Sequence, residues 1–140
     1  MTSFEADRLH ASDTVRDTCA DRLAQVFDLH LRSASPSLAN AAAAAVPAGE
    51  ATVDVIVAAI IEVAERNRDG RAVAAFDALR QAGRAAPRND AVMGHALIAA
   101  LTEVLGPSFD EPVRDAWANG YIRLVEAVMA SRRNRMDFVA

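Results

Sequence analysis

Three histidines, His10, His30 and His95, are the residues of this chain best suited to hold a metal ion or a haem iron, because a neutral imidazole nitrogen is available as a ligand near neutral pH. Their spacing does not build a site. No two of them form the H-x3-H or H-E-x-x-H patterns that place paired ligands on one helix face. His95 reads as an exposed helical residue, His30 as a helix-surface or interhelical hydrogen-bonding residue, and His10 as solvated. Cys19 is the single cysteine, so it forms no intrachain disulfide and reads as a small core residue. Ser33, Ser35 and Ser37 cluster without a G-x-S-x-G elbow, which suits a turn rather than a nucleophile. Glu62 and Glu65 lie three apart, followed by Arg66 and Arg68, and suit solvated salt bridging. Acid–base chemistry would need a second convergent element, and the sequence supplies none. A glycine-rich phosphate loop is also missing. No enzyme is expected from these residues.

The elements that would position such groups are helical. Just over half of the 140 residues are hydrophobic, but much of that share is alanine and seven residues are aromatic. Alanine has the highest helix propensity, so the bias favours an all-α fold. One domain spanning residues 1–140 is expected, with room for one substantial core. All fifteen cationic residues are arginine, and the formal charge of -4 gives no general attraction for nucleic acid or anionic lipid. The first ten residues lack the basic and apolar blocks of a signal peptide, and no apolar run reads as a bilayer span. The cytoplasm is the expected compartment, without a membrane or nucleic-acid partner.

Thr2–Ser3 with Glu5 and Asp7 suits the start of a first helix, and Leu9, Val15, Leu23, Val26, Phe27, Leu29 and Leu31 continue one or two amphipathic helices to about Ser33. Ser35-Pro36 interrupts them. A short helix or turn follows through Leu38, and the alanines from Ala41 to Ala45 permit helix without supplying bulk. Between Ala51 and Arg66, Val53, Ile56, Val57, Ile60, Ile61 and Ala64 fall at helical spacing, with Val55 and Val63 widening the apolar face. A shorter helix runs from Arg71 towards Gly83 with Val73, Phe76 and Leu79. Another begins near Asn89-Asp90 and ends at Gly106-Pro107, and a last one opens at Asp110-Glu111-Pro112. Six to eight helices are predicted. The tail Arg132-Arg133-Asn134-Arg135 reads as a helix C-terminus favourable to the dipole.

The last helix carries D-A-W-A-N-G-Y-I-R-L, preceded by V-M-G-H-A-L-I-A-A-L and a Gly-Pro corner. With the Ser35-Pro36-Ser37-Leu38 turn, these segments resemble single-domain bacterial globins and the globin half of flavohaemoglobins. The resemblance is specific over about a third of the chain and rests on helix pattern elsewhere. It implies a globin-like fold and, in the family, a haem iron held by a proximal histidine. That position falls on Gly83, four residues after Leu79, or on Arg80 if no gap precedes Pro87. Neither residue offers a neutral nitrogen ligand. The other pocket positions implied by the resemblance are Asp28, Ala42 and Thr52, and the family's Tyr and Glu that set the histidine fall on Asp90 and Asn119. All depart from the family pattern.

The resemblance therefore implies a haem-independent, globin-fold regulatory or sensory protein with no cofactor and no metal. It would act through protein–protein contacts, as a homodimer and with a partner in signalling. The volume left by haem is either filled by larger side chains or kept as a hydrophobic cavity for a fatty-acid-like ligand, with Phe27, Ile56, Ile60, Phe76, Leu79 and Leu97 as its lining. Trp117 and Tyr121, four apart, share a face with Leu124 and Val128, which serves as core or as a dimer contact within a four-helix bundle. The alternative is an atypical haem protein for oxygen or nitric oxide, with His95 or His30 as the iron ligand.

Overall fold

Ser35 ends one helix and begins the next. Its backbone is extended, its N–H reaches the Leu31 carbonyl, and its hydroxyl accepts from the Leu38 N–H at 3.3 Å. With Pro36 in the first turn, this is a complete N-cap. A computed structural model describes residues 3–66 and 69–139, without the side chains of residues 3, 4, 15 and 134–139. Thr2, Arg68 and the side chains of Val15, Asn134 and Arg135, which entered the sequence reading, lie outside that description.

Seven α-helices follow in order among the described residues: α1 (Ser3–Asp17), α2 (Ala20–Ala34), α3 (Pro36–Ala45), α4 (Thr52–Ala64), α5 (Arg71–Ala82), α6 (Asn89–Leu105) and α7 (Glu111–Val139). A 3-10 turn over Gly106–Ser108 joins the last two, and the described residues contain no strand. The fold is all-α, with a helix count inside the expected six to eight and a layout consistent with a globin-like fold. One boundary differs from the sequence reading. The turn through Leu38 and the alanine run are a single helix, α3, whose buried face is Leu38, Ala39 and Ala42.

The helices share one core. α2 packs on α6, α4 on α5, and α7 on α1, α4, α5 and α6. Trp117, Phe27 and Phe76 are its largest fully buried side chains. The segment Asn89–Ser108 is, by length and composition, apolar enough to cross a membrane, which corrects the expectation that no run reaches that length. Here the α6 part of it buries Met93, Ala96, Leu97, Ala100, Leu101 and Leu105 in the core.

Glu62 takes a role that the sequence reading did not give it. It is buried, and its two carboxylate oxygens accept from the backbone N–H groups of Ala72 and Val73 at 3.1 and 3.0 Å. These N–H groups belong to the first turn of α5, where a helix has no internal acceptor for them. Gly70, the residue before α5, has no side chain to cap it, so a carboxylate from the neighbouring helix does so. Only Glu65 of the expected salt-bridging pair is solvated, and it meets His10 Nε2 at 3.1 Å.

Candidate functional site

The position at which the resemblance implies a proximal histidine is closed from the opposite side. Helix α3 packs directly on α5. A Cβ built on Gly83 would lie 2.4 Å from Leu38 Cδ1, with Leu38 itself fully buried. Any side chain at residue 83 must therefore displace that methyl group. Leu38 occupies the space beside Gly83, and Gly83 provides no ligand atom.

The neighbouring positions have also been put to other use. Ala42 is fully buried in the core, and Thr52 is the half-buried first residue of α4. Asp28 turns outward to bind Arg32, Nε to Oδ2, at 3.0 Å. Asn119 is exposed. The six residues expected to line a cavity, Phe27, Ile56, Ile60, Phe76, Leu79 and Leu97, are each no more than 1% exposed and belong to the continuous core. None of five pockets on the surface of the described residues is lined by any of them.

Arg80, the gap-free alternative for the histidine position that the resemblance implies, and Asp90, the position implied for its tyrosine partner, form a bidentate ion pair. Arg80 Nε and Nη2 donate to Asp90 Oδ1 and Oδ2, both at 2.8 Å. The planar guanidinium matches the carboxylate oxygens, which is the strong geometry for such a pair. The hydrogen bond to Asp90, opposed by burial, holds the Arg80 guanidinium above its ordinary pKa. Asp77 lies 3.8 Å from Arg80 Nη1 and accepts from Arg132 Nε at 3.2 Å, so the network joins α5, α6 and α7. Arg132, read from sequence as part of a basic tail, is thus occupied within the fold.

Tyr121 completes this corner. Its hydroxyl donates to the Asp90 carbonyl at 2.6 Å, and its ring meets Phe76 edge-on with centroids 6.0 Å apart. Gly94 makes room for it, since a Cβ there would lie 2.8 Å from Tyr121 Cε1. Burial, reinforced by the Asp90 charge and opposed by Arg80, pushes the phenol well above its ordinary pKa of about 10. In the unfolded chain the phenol ionises near that value, whereas in the fold it stays neutral. Its stabilising contribution is therefore whole below about pH 10 and falls as pH rises further. Alkaline denaturation should show a steeper loss of stability above pH 10 in the wild type than in Tyr121→Phe. Equal slopes in urea melts at pH 9 and pH 11 would contradict this account.

The four residues expected to form a dimer face are internal to the chain. Trp117, Leu124 and Val128 are at most 1% exposed and Tyr121 is 7% exposed, so their face is core. Of the two uses the sequence allows for this face, core packing is the one seen: the strongest apolar face of α7 is the one that the chain itself covers. The open face lies beside it, where Ile122 and Met129 are exposed. There α6 and α7 form a groove of about 480 Å³ with Gly94, Ile98, Ala118, Tyr121, Ile122 and Val125 along it. Ile122, Val125 and Met129 fall at helical spacing in the sequence, the signal from which this second stripe is readable.

The histidines lie on other surfaces. His30 Nε2 meets Glu103 Oε2 across α2 and α6 at 3.3 Å, and His95 is exposed. Both line a second groove of about 470 Å³, outside the core. Among the described residues no three His, Cys, Asp or Glu side chains are grouped to hold a metal ion. Cys19 is half-buried in the residue before α2, where its thiol reaches the Arg16 carbonyl at 3.4 Å. Comparison with protein-family models, curated proteins and solved structures finds no match to the chain.

Proposed function

We propose that the chain is a haem-independent, globin-derived regulatory protein of the cytoplasm, acting without catalysis through contacts with a second copy of itself and with a signalling partner. The observation that carries this reading is Leu38 Cδ1 standing 2.4 Å from where a Cβ of residue 83 would be. Filling of the haem volume, rather than an apolar ligand within it, is supported by the burial of Phe27, Ile56, Ile60, Phe76, Leu79 and Leu97 in one core. The Arg80–Asp90 pair adds a second support, because a charged clamp has taken over two positions that in the family serve the iron. The outward placement of His30 and His95 gives haem no internal ligand among them. A regulatory role follows from what remains: a stable scaffold with an open apolar face on α6 and α7.

The test is a visible absorption spectrum of protein produced with ample haem, followed by haem titration of the purified chain. No Soret band beyond that of free haem is expected. A stoichiometric band that disappears in His95→Ala or His30→Ala would overturn the reading in favour of an atypical oxygen- or nitric-oxide-binding globin.

A further inference from the structure

We propose that α7 of one copy packs antiparallel on α7 of a second copy, with Ile122 and Met129 at the centre and Asp115 of each copy opposite Arg133 of the other. The proposal rests on the protein-contact reading above and gives that contact its surface and its geometry.

The stripe is set by helical spacing. Residues 115, 122, 126, 129 and 133 succeed one another at intervals of seven, four, three and four, which keeps them on one face of a helix. All five are exposed: Asp115, Ile122, Glu126, Met129 and Arg133. Two of them, Ile122 and Met129, are among the three exposed large hydrophobic residues of the described part of the chain. The groove between α6 and α7 opens directly beside them, floored by Gly94 and Ile98 and walled by Ala118 and Val125. Ile122 and Met129 flank Glu126 at the middle of this face, and Asp115 and Arg133 mark its ends, a mixed apolar and charged layout found in protein interfaces.

Charge selects the occupant. The stripe is acidic at its start, Asp115, and basic at its end, Arg133, and neither side chain has an ion-pair partner among the described residues. A parallel copy would bring like charges together. An antiparallel copy brings each Asp115 against an Arg133 at both ends of the contact, about 27 Å apart for 18 residues at 1.5 Å each. The same register sets Glu126 within one residue of the second copy's Arg123, which is likewise exposed and unpaired among the described residues. A two-fold contact repeats every favourable pair, so complementarity within one helix is complementarity across the dimer. α7 has 29 residues where the other helices have at most 17, and only α7 is long enough to carry both ends of this pattern.

Sedimentation velocity of the full chain over a range of concentrations tests the pairing. The wild type is expected to be a dimer, and Ile122→Arg a monomer with an unchanged circular dichroism spectrum. Asp115→Arg and Arg133→Asp should each weaken dimerisation about tenfold or more at low salt, as like charges then face each other. The double swap, Asp115→Arg with Arg133→Asp, should restore it to within a few-fold. The single-swap defects should shrink at high salt. A monomeric wild type, including one that associates only with a different protein, overturns the proposal. So does a double swap that is no better than the singles. A haem-free monomer would sink the pairing and leave the haem-independent reading intact, whereas a dimer carrying stoichiometric haem would do the reverse.

Discussion

Trp117→Ala is expected to lower the stability of the chain by about 3–5 kcal/mol, the cost of deleting a large aromatic side chain from a close-packed core. Trp117 is fully buried and heads the largest side chains of the core. Its indole N–H donates to Ser12 Oγ at 2.7 Å, and the Ser12 hydroxyl turns its own hydrogen to the carbonyl of Arg8 or Leu9 at 3.0 or 3.2 Å. The bond satisfies a buried donor that would otherwise have no water to meet. It also ties α7 to α1. Against a usual total of about 5–15 kcal/mol, the loss is large enough to shift the urea midpoint far down or to unfold the chain at body temperature. Trp117→Phe retains most of the volume and loses the bond, so about 1–2 kcal/mol is expected. Far-UV circular dichroism is the readout, since the substitution removes the only tryptophan. A Trp117→Ala loss under 1 kcal/mol would mean that α1 and α7 are not coupled through this residue.

The second large effect concerns Gly83 and Leu38. Gly83→Ala should destabilise by about 1–3 kcal/mol, because the added methyl overpacks a site with no slack. Gly83 has an ordinary backbone angle, φ -92, so the cost comes from contact and not from strain in the chain. Leu38→Ala should cost about 2–5 kcal/mol by leaving a cavity. Made together, the two changes relieve each other: the methyl at residue 83 moves into the space that Leu38 gives up. Their combined loss should fall short of the sum by about 0.5–3 kcal/mol. Strict additivity in denaturant melts would show that Leu38 swings away freely, which would remove the main support for a closed haem site.

The helices were legible because their apolar residues repeat at helical spacing and their ends carry recognisable punctuation, such as Ser35-Pro36 and Gly106-Pro107. α3 was legible only in part. Five successive alanines present no face, so the sequence does not say whether Leu38 and Ala45 share a helix. The departures from the haem-pocket pattern that the resemblance implies were readable one by one, but the roles of the residues at those positions were not. Arg80 and Asp90 meet because the turn through Pro87 brings the start of α6 beside the end of α5, and their pairing depends on that path. Glu62 reads like its neighbour Glu65, yet one is buried and the other exposed, since only Glu62 faces the first turn of α5. On α7 the richest apolar face read equally as core or as contact surface; it is core, and the poorer stripe beside it is the open one. Aromatic weight marks what a chain covers first.

Helix α7 also constrains when the structure can form on the ribosome. It touches α1, α4, α5 and α6 and inserts Ala116, Trp117, Leu124 and Val128 among them. Until it is synthesised, the apolar faces of four earlier helices have no common partner, and the Ser12 hydroxyl lacks the indole it will accept from. While α1 to α6 are made and α7 is not, the earlier helices remain an unfinished assembly, exposed to wrong contacts. The core closes when α7 arrives and threads Trp117 back to α1.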